Sequence, residues 1–504
     1  MADMRAKREI ERKYEAGDGG LPDLTGVGPV AAVVDQGVAE LDAVYYDTPD
    51  ERLTADGLTL RRRTGGTDAG WHLKFPVSPG VRDEIHAPLS DTVPPALAGL
   101  VRSRVRDAEL LPLVRIRSRR AISHLVTADG TPLAEVAVDA VRAERLTGHG
   151  GAAQWTEIEV ELADDGDPAL LDAVGKRLRK AGVRPSPAAS KLARALTETA
   201  PPDRPRPTAA GHAAPTTAGD HVLAYLRTQR DALVALDPAV RRDEYDSVHQ
   251  MRVATRRLRS ALRTYRKVLD RTTTDPVRAE LKWLGTELGL GRDQEVLAER
   301  LTTGLDDLPY TLITGPVRTR LRTWSQTARS DARRRLLADL DGDRHLALLD
   351  TLDALLADPP LRPAAAGKPA KVITKAVHKD FAALSALLRH ALDLPPGHDR
   401  DLALHEARKK AKATRYAAEA AVPALGDPAA GLVKAAKSLQ SLLGDHQDSV
   451  MARRTLRELA GQAHEAGESA FTYGVLHGRE ERSAAELEAR LPETWRAIEK
   501  GTSL

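Results

Sequence analysis

The chain has 504 residues, with 75 Lys and Arg against 72 Asp and Glu, a formal net charge of +3 and no cysteine. That length supports at least two domains with cores of their own, and the missing cysteines exclude disulfides, thiolate metal sites and cysteine nucleophiles. The near-neutral balance excludes a general polycation, so any anion site must come from where basic residues cluster. From the N-terminus, short alternating runs predict β-strands at EIERKYE, LDAVYYD, LTLRRR, GWHLKFPV, PLVRIRS, PLAEVAVDAV and QWTEIEVEL, separated by Gly, Pro and Asp turns. Helices are expected at 168–181 and 188–198. The sharpest break is the Pro-, Ala- and Thr-rich stretch at 197–219, which places a linker over 199–217 between domains at 1–198 and 218–500. Beyond it the chain reads as helix almost throughout, with Pro or Gly punctuation near 238, 276, 309, 359, 395 and 428. No apolar run approaches the roughly 18 residues of a membrane span. The opening MADMRAKREIERKYE has no apolar signal core, so a cytoplasmic protein is expected.

Strand alternation sorts the N-terminal side chains into two faces. Glu9, Glu11 and Lys13 oppose Ile10 and Tyr14; Thr59, Arg61 and Arg63 oppose Leu58 and Leu60; His72 and Lys74 oppose Trp71, Leu73 and Phe75. Arg115 and Arg117 oppose Val114 and Ile116, Asp139 opposes Val136 and Val138, and Glu157, Glu159 and Glu161 oppose Ile158, Val160 and Leu162. An ordinary half-exposed sheet also has a polar face, but six strands here carry clustered Arg and Lys or clustered Glu instead of Ser, Thr and Gln. Closed on itself, such a sheet is a barrel with a charged lumen. Arg and Lys grip phosphate oxygens. Paired carboxylates hold hard cations such as Mg²⁺ or Mn²⁺. Phosphoryl transfer needs mostly positioning and charge neutralisation, and the chain shows no G-x-S-x-G or Walker motif.

Glu9-Ile-Glu11-Arg-Lys13 resembles the E-x-E-x-K signature of the CYTH, or triphosphate tunnel metalloenzyme, superfamily. Leu60 to Arg63, Trp71 to Lys74, Arg115 to Arg120, Asp139, Glu157 to Glu161 and Ser190-Lys191 follow in family order. The resemblance, over residues 5–198, implies an eight-stranded antiparallel tunnel that hydrolyses triphosphate, inorganic triphosphate first, with Mg²⁺ or Mn²⁺. It implies Glu9, Glu11, Asp139, Glu157 and Glu159 as metal ligands, and Glu9, Glu11 and Lys13 as the catalytic core. Lys13, Arg61, Arg63, Lys74 and Lys191 would bind phosphate. On the fifth predicted strand alternation favours Arg115 and Arg117, whereas the family's basic pair aligns with Ser118 and Arg120.

The helical region contains an internal repeat. His249-Gln-Met-Arg252 and Asp293 recur as His405-Glu-Ala-Arg408 and Asp448, at offsets of 156 and 155 residues. His249, Arg252, Arg256, Arg259 and Arg263 follow helical steps of three or four, with Arg257 beside them; His405, Arg408, Lys412 and Arg415, with Lys409, repeat the theme. Solvated helix faces mix signs, so a one-signed stripe in both halves points to a bound anion. Asp293 and Asp448 read as structural, each either fixing a helix start or pairing with a basic residue. Nucleic acid is disfavoured by an aromatic content of 3% and by Tyr265 as the one aromatic of the first stripe.

HQMRVATRRLRSALRTYR and LHEARKKAKATRYAAE resemble the two halves of the CHAD, or conserved-histidine α-helical, domain over about residues 218–490. The resemblance implies paired four-helix bundles with a basic groove for inorganic polyphosphate, and association with storage granules. Glu419 falls near the place of Arg263, which weakens that wall of the groove. A non-catalytic polyphosphate-binding or granule-targeting protein is the alternative. Adenylate cyclase activity, also found under the CYTH name, ranks below it because the sequence shows no adenine pocket.

Overall fold

The computed structural model describes residues 4–17, 20–148, 151–200 and 214–501. The chain divides into two compact units, Met1–Gly211 and His212–Leu504. Most of the linker placed at 199–217 (residues 201–213) lies outside the described residues.

The first unit contains β1 (Arg5–Glu15), β2 (Ala32–Asp47), α1 (Arg52–Ala55), β3 (Thr59–Thr64), β4 (Gly70–Ser78), β5 (Val81–Ala87), α2 (Pro95–Val105), β6 (Leu111–Val126), β7 (Pro132–Arg145), β8 (Ala152–Leu162), α3 (Pro168–Lys180), β9 (Arg184–Pro185) and α4 (Lys191–Glu198). The order β5-β4-β3-β2-β6-β7-β8-β1, with β5 pairing back onto β1, closes eight antiparallel strands into a barrel. Strand β1 makes the closure by dividing its partners. Residues 5–10 pair with β5, residues 11–15 pair with β8, and the two-residue β9 adds to its end.

Alternation decides which residues face the lumen, and apolar packing decides what covers the outside. Ile158 and Val160 on β8 and Val136 on β7 lie under Leu170, Leu171 and Val174 of α3. Asp167 caps α3, its carboxylate accepting the Ala169 N–H at 2.9 Å, with Pro168 in the first turn where its missing N–H does no harm. Leu60, Leu73 and Ile85 are buried with Leu97 and Val101 of α2. Helix α4 is internal: its Leu192 and Ala195 pack with Tyr45, Val114, Ile116 and Trp155, filling one end of the lumen with apolar atoms. Ser190 caps this helix, its Oγ accepting the Ala193 N–H at 3.0 Å, and so places Lys191 in the first turn.

This plug corrects the expectation for β6. Ile116 turns inward to meet α4, so Ser118 and Arg120 share its face, and Arg115 and Arg117 point out. There both bond Asp42, at 2.5 and 3.5 Å.

The second unit is helical: α5 (Ala218–Arg241), α6 (Ser247–Thr264), α7 (Arg271–Asp306), α8 (Val317–Asp341), α9 (Asp343–Ala357), α10 (Pro369–Asp393), α11 (His398–Leu425), α12 (Asp427–Glu465) and α13 (Phe471–Gly501). The second half is four helices in series. In the first half the fourth helix breaks at Gly342 into α8 and α9, so it uses five. Pro238 and Pro276, expected between helices, lie inside the ends of α5 and α7. The two basic helices, α6 and α11, meet at the centre. Ala407, Ala411, Ala417, Ala418 and Ala421 give α11 a fully buried small face. That close approach lets the Tyr265 hydroxyl donate to the Ala417 carbonyl at 3.1 Å.

Candidate functional site

In the barrel, Glu9, Glu11, Lys13, Arg61, Arg63, Lys74, Arg120, Glu159 and Lys191 line a single cavity of about 450 Å³. Asp139 and Glu157 lie behind Lys191. Its Nζ is 2.6 Å from Glu159, 2.9 Å from Asp139 and 2.9 Å from Glu157. Arg120 reinforces this corner, donating to Asp139 at 2.8 and 2.7 Å and to Glu159 at 2.6 Å. Lys13 bonds Glu11 at 3.0 Å and also touches Glu159. Burial alone would raise the Glu159 carboxyl, but Lys13, Lys191 and Arg120 hold it well below the usual range. Burial opposes the charge of Lys191 in the same way, and the three carboxylates raise its pKa.

The other wall of the cavity rests on β5, a strand with no counterpart in the sequence reading. Glu84 on β5 accepts from His72 Nδ1 at 2.8 Å and lies 3.4 Å from Lys74 and 3.8 Å from Arg61. Lys74 in turn bonds Glu9 at 2.5 Å. Burial pushes the Glu9 carboxyl up to about 7, with Lys74 opposing and the hydrogen bond to Glu84 adding to the rise. Arg82, also on β5, lies 3.9 Å from Glu11 and donates to the Ala189 carbonyl at 2.7 Å. The signal for this strand was the spacing of Arg82, Glu84 and His86 at every second residue.

The cavity's charge is close to balanced. Among the described residues nine basic and seven acidic side chains line it, and Asp139 and Glu157 bring the acids to nine. A polyanion entering alone would meet carboxylates as well as cations, so this wall suits an anion that arrives with a cation. Asp139, Glu157 and Glu159 offer oxygen atoms within 4.8 Å of one another. All-oxygen donors of this kind fit a hard divalent cation, and the Lys191 ammonium marks a position of cation affinity among them. Trp155 orients the set, its indole N–H donating to Glu157 at 2.6 Å.

In the helical unit, His249, Arg252 and Arg256 of α6 and His405, Arg408, Lys409 and Lys412 of α11 line a cavity of about 390 Å³. A neighbouring cavity of about 540 Å³ shares Arg256, Lys409 and Lys412 and adds Arg259, Arg263, Arg278 and Lys282. The repeated Asp residues hold the repeated Arg residues. Arg252 is bidentate on Asp293 at 2.6 and 3.0 Å, and Arg408 lies 3.7 Å from Asp448. Gly289 leaves room for the first of these, since a Cβ there would lie 2.7 Å from the Arg252 guanidinium and push it aside. His405 Nδ1 bonds the Gln447 side-chain oxygen at 2.7 Å. Burial, with the neighbouring cations, lowers both His249 and His405, so each is held towards neutral imidazole.

Two predicted groove residues lie elsewhere. Arg257 sits one position off the stripe and bonds Glu419 at 2.8 Å. Arg415 reaches the same carboxylate at 3.3 Å and stacks 4.9 Å above the Tyr416 ring. Glu419 therefore pairs these two arginines away from the groove, instead of interrupting its wall.

Residues 7–196 match the CYTH domain family and residues 224–457 match the CHAD domain family. The chain is 39% identical over 513 residues to the uncharacterized protein Rv2226 of Mycobacterium tuberculosis, covering 98% of this chain and 97% of that protein. Among solved structures, PptA from Streptomyces chartreusis matches at 24% identity and a TM-score of 0.48, covering 56% of this chain and 100% of that one. The CHAD domain from the plant Ricinus communis matches at 27% identity and a TM-score of 0.45, covering 56% and 92%. No helix of the described residues is long and apolar enough to cross a membrane. With both domain matches in this order and a relative aligned along nearly its whole length, the chain belongs to the family that joins an N-terminal CYTH domain to a C-terminal CHAD domain.

Proposed function

We propose that the barrel is a divalent-metal-dependent triphosphatase, with inorganic triphosphate as its first substrate, and that the helical groove binds inorganic polyphosphate. The observation that carries the reading is the charge-balanced cavity, in which basic side chains from five strands and α4 face a carboxylate cluster of metal-binding geometry. Arg61, Arg63, Lys74 and Arg120 would grip the phosphate oxygens, with Lys13 and Lys191 between chain and carboxylates. Asp139, Glu157 and Glu159 would hold Mg²⁺ or Mn²⁺, with Glu11 and Glu9 following on the adjacent strand β1. When bound there, the cation supplies charge neutralisation to the phosphoryl oxygens. Water attacks the terminal phosphorus, a P–O bond forms as the bridging P–O bond breaks, diphosphate is displaced, and phosphate and a proton are released. Exclusion of bulk water by the α4 plug strengthens each of these contacts.

The groove reading rests on Arg256, Arg259 and Lys412, which have no carboxylate within ion-pair distance among the described residues. Chain-like anions span both cavities through their shared residues. A second reading, polyphosphate binding or granule targeting without catalysis, draws on Lys13 and Lys191, which already neutralise the carboxylates from within. Phosphate release from inorganic triphosphate, with Mg²⁺ or Mn²⁺ and again with excess chelator, separates the two. Turnover that requires the metal supports the enzyme; binding without turnover supports the second reading.

A further inference from the structure

The lysines of α11 are not equivalent. Lys409 bonds Glu406 at 2.7 Å, and Lys410 is paired with Asp380. Lys412 has no carboxylate within ion-pair distance among the described residues, although it lines both cavities of the groove. Arg252, Arg256 and Arg408 line the same cavity, and Asp293, whose charge opposes theirs, is already held bidentate by Arg252.

We propose that Lys412 is a reactive amine, a site where phosphate-bearing acyl donors such as acyl phosphates acylate the groove. Two features of the cluster combine. The arginines draw in an anionic donor through its phosphate. The same arginines, with burial, disfavour a further positive charge at Nζ, and the amine is lowered to about 7, with burial the larger cause. At neutral pH such an amine is neutral about half the time, against on the order of one part in a thousand for an ordinary lysine. The neutral Nζ attacks the carbonyl carbon, a C–N bond forms, and the C–O bond to phosphate breaks. Inorganic phosphate leaves, the amine proton passes to solvent, and no oxidant or reductant is needed. The amide removes a cation shared by the two cavities, so acylation would weaken the polyphosphate binding proposed above. The inference rests on that reading only for the consequence of acylation, not for the reactivity.

The test uses the full chain, acetyl phosphate at pH 7, and peptide mass spectrometry of each lysine over time. Lys412 is expected to acylate at least about tenfold faster than Lys409 or Lys410, with a rate that levels off above an inflection near 7. Inorganic polyphosphate should protect it. Equal labelling of all exposed lysines, or an unlabelled Lys412 in a chain whose other lysines react, overturns the proposal. If Lys412 remains unlabelled although polyphosphate binds, this inference fails and the groove reading stands. Fast labelling that polyphosphate does not slow keeps the reactive amine and sinks the groove reading.

Discussion

Lys191 makes the account quantitative. Its ammonium lies within 2.9 Å of three carboxylates, and its side chain is 9% exposed. Lys191→Met keeps the apolar stem of the side chain and removes the charge. Removing one partner from a buried ionic cluster costs about 3–5 kcal/mol, because the remaining charge stays uncompensated. Arg120 still bonds Asp139 and Glu159, so the lower figure, about 3 kcal/mol, is expected. In a domain of this size each kcal/mol moves Tm by about 2–4 °C, which gives a fall of about 6–12 °C. Calorimetry of the full chain in excess chelator should show one transition moved by that amount. The carboxylates, freed from Lys191, should then favour a divalent cation more than in the parent chain. Mg²⁺ or Mn²⁺ at about 100 times its Kd returns about 2.7 kcal/mol to the native state. No loss of Tm in chelator would refute the reasoning, as would a loss that monovalent salt reverses and divalent cations do not.

Three further outcomes follow from the same geometry. Trp155→Phe keeps the ring in the α4 plug and removes the hydrogen bond to Glu157, so Mn²⁺ affinity should fall about 10–100-fold. An unchanged Mn²⁺ titration by electron paramagnetic resonance would show that Trp155 positions nothing. Burial pushes Glu9 up to about 7, and the proposed reaction uses it as a carboxylate, so triphosphate turnover should rise with pH through that value and level off above it. Removing the Lys74 charge, which lowers the Glu9 pKa, should move the inflection upward; an inflection at 4 to 5, the ordinary carboxyl range, would contradict the assignment. Arg115→Gln, on the outer surface, should leave turnover unchanged, whereas Arg120→Gln should reduce kcat on the order of 10²-fold. Steady-state kinetics of the two variants side by side would expose a reversed assignment.

Alternation made most of the lumen legible. On β4 and β8 one phase is charged and the other apolar, and on β1 and β3 the apolar Ile10, Tyr14 and Leu60 mark the outward phase despite Arg8, Arg12 and Arg62 beside them, so Glu9, Arg61, Lys74 and Glu159 could be aimed inward from sequence alone. On β6 both phases carry arginine, and the direction was set by α4, an element far along the chain whose Leu192 and Ala195 demand apolar partners. Strand β5 was missed because VRDEIHA has polar residues on both faces, and Glu84 was missed with it. In the helical domain the repeat picked out α6 and α11 as the two basic helices, whereas the choice for Asp293 and Asp448 between fixing a helix start and pairing with an arginine lay in contacts between helices. The fate of Arg257 and Arg415 depended on Glu419, a contact between α6 and α11 that no spacing within either helix reveals. The role of Gly289 was likewise hidden, since it lies in the closeness of Arg252 on a neighbouring helix.

The most direct test of the central claim is phosphate release from inorganic triphosphate by the full chain and by its Glu11→Gln variant, each with Mn²⁺ or Mg²⁺. Turnover is expected in the parent chain and its loss in the variant, with polyphosphate binding retained by both. Equal turnover in the two chains would contradict the tunnel chemistry. No turnover with either metal, in a folded chain that still binds polyphosphate, would leave a tunnel that recognises phosphate chains without cutting them.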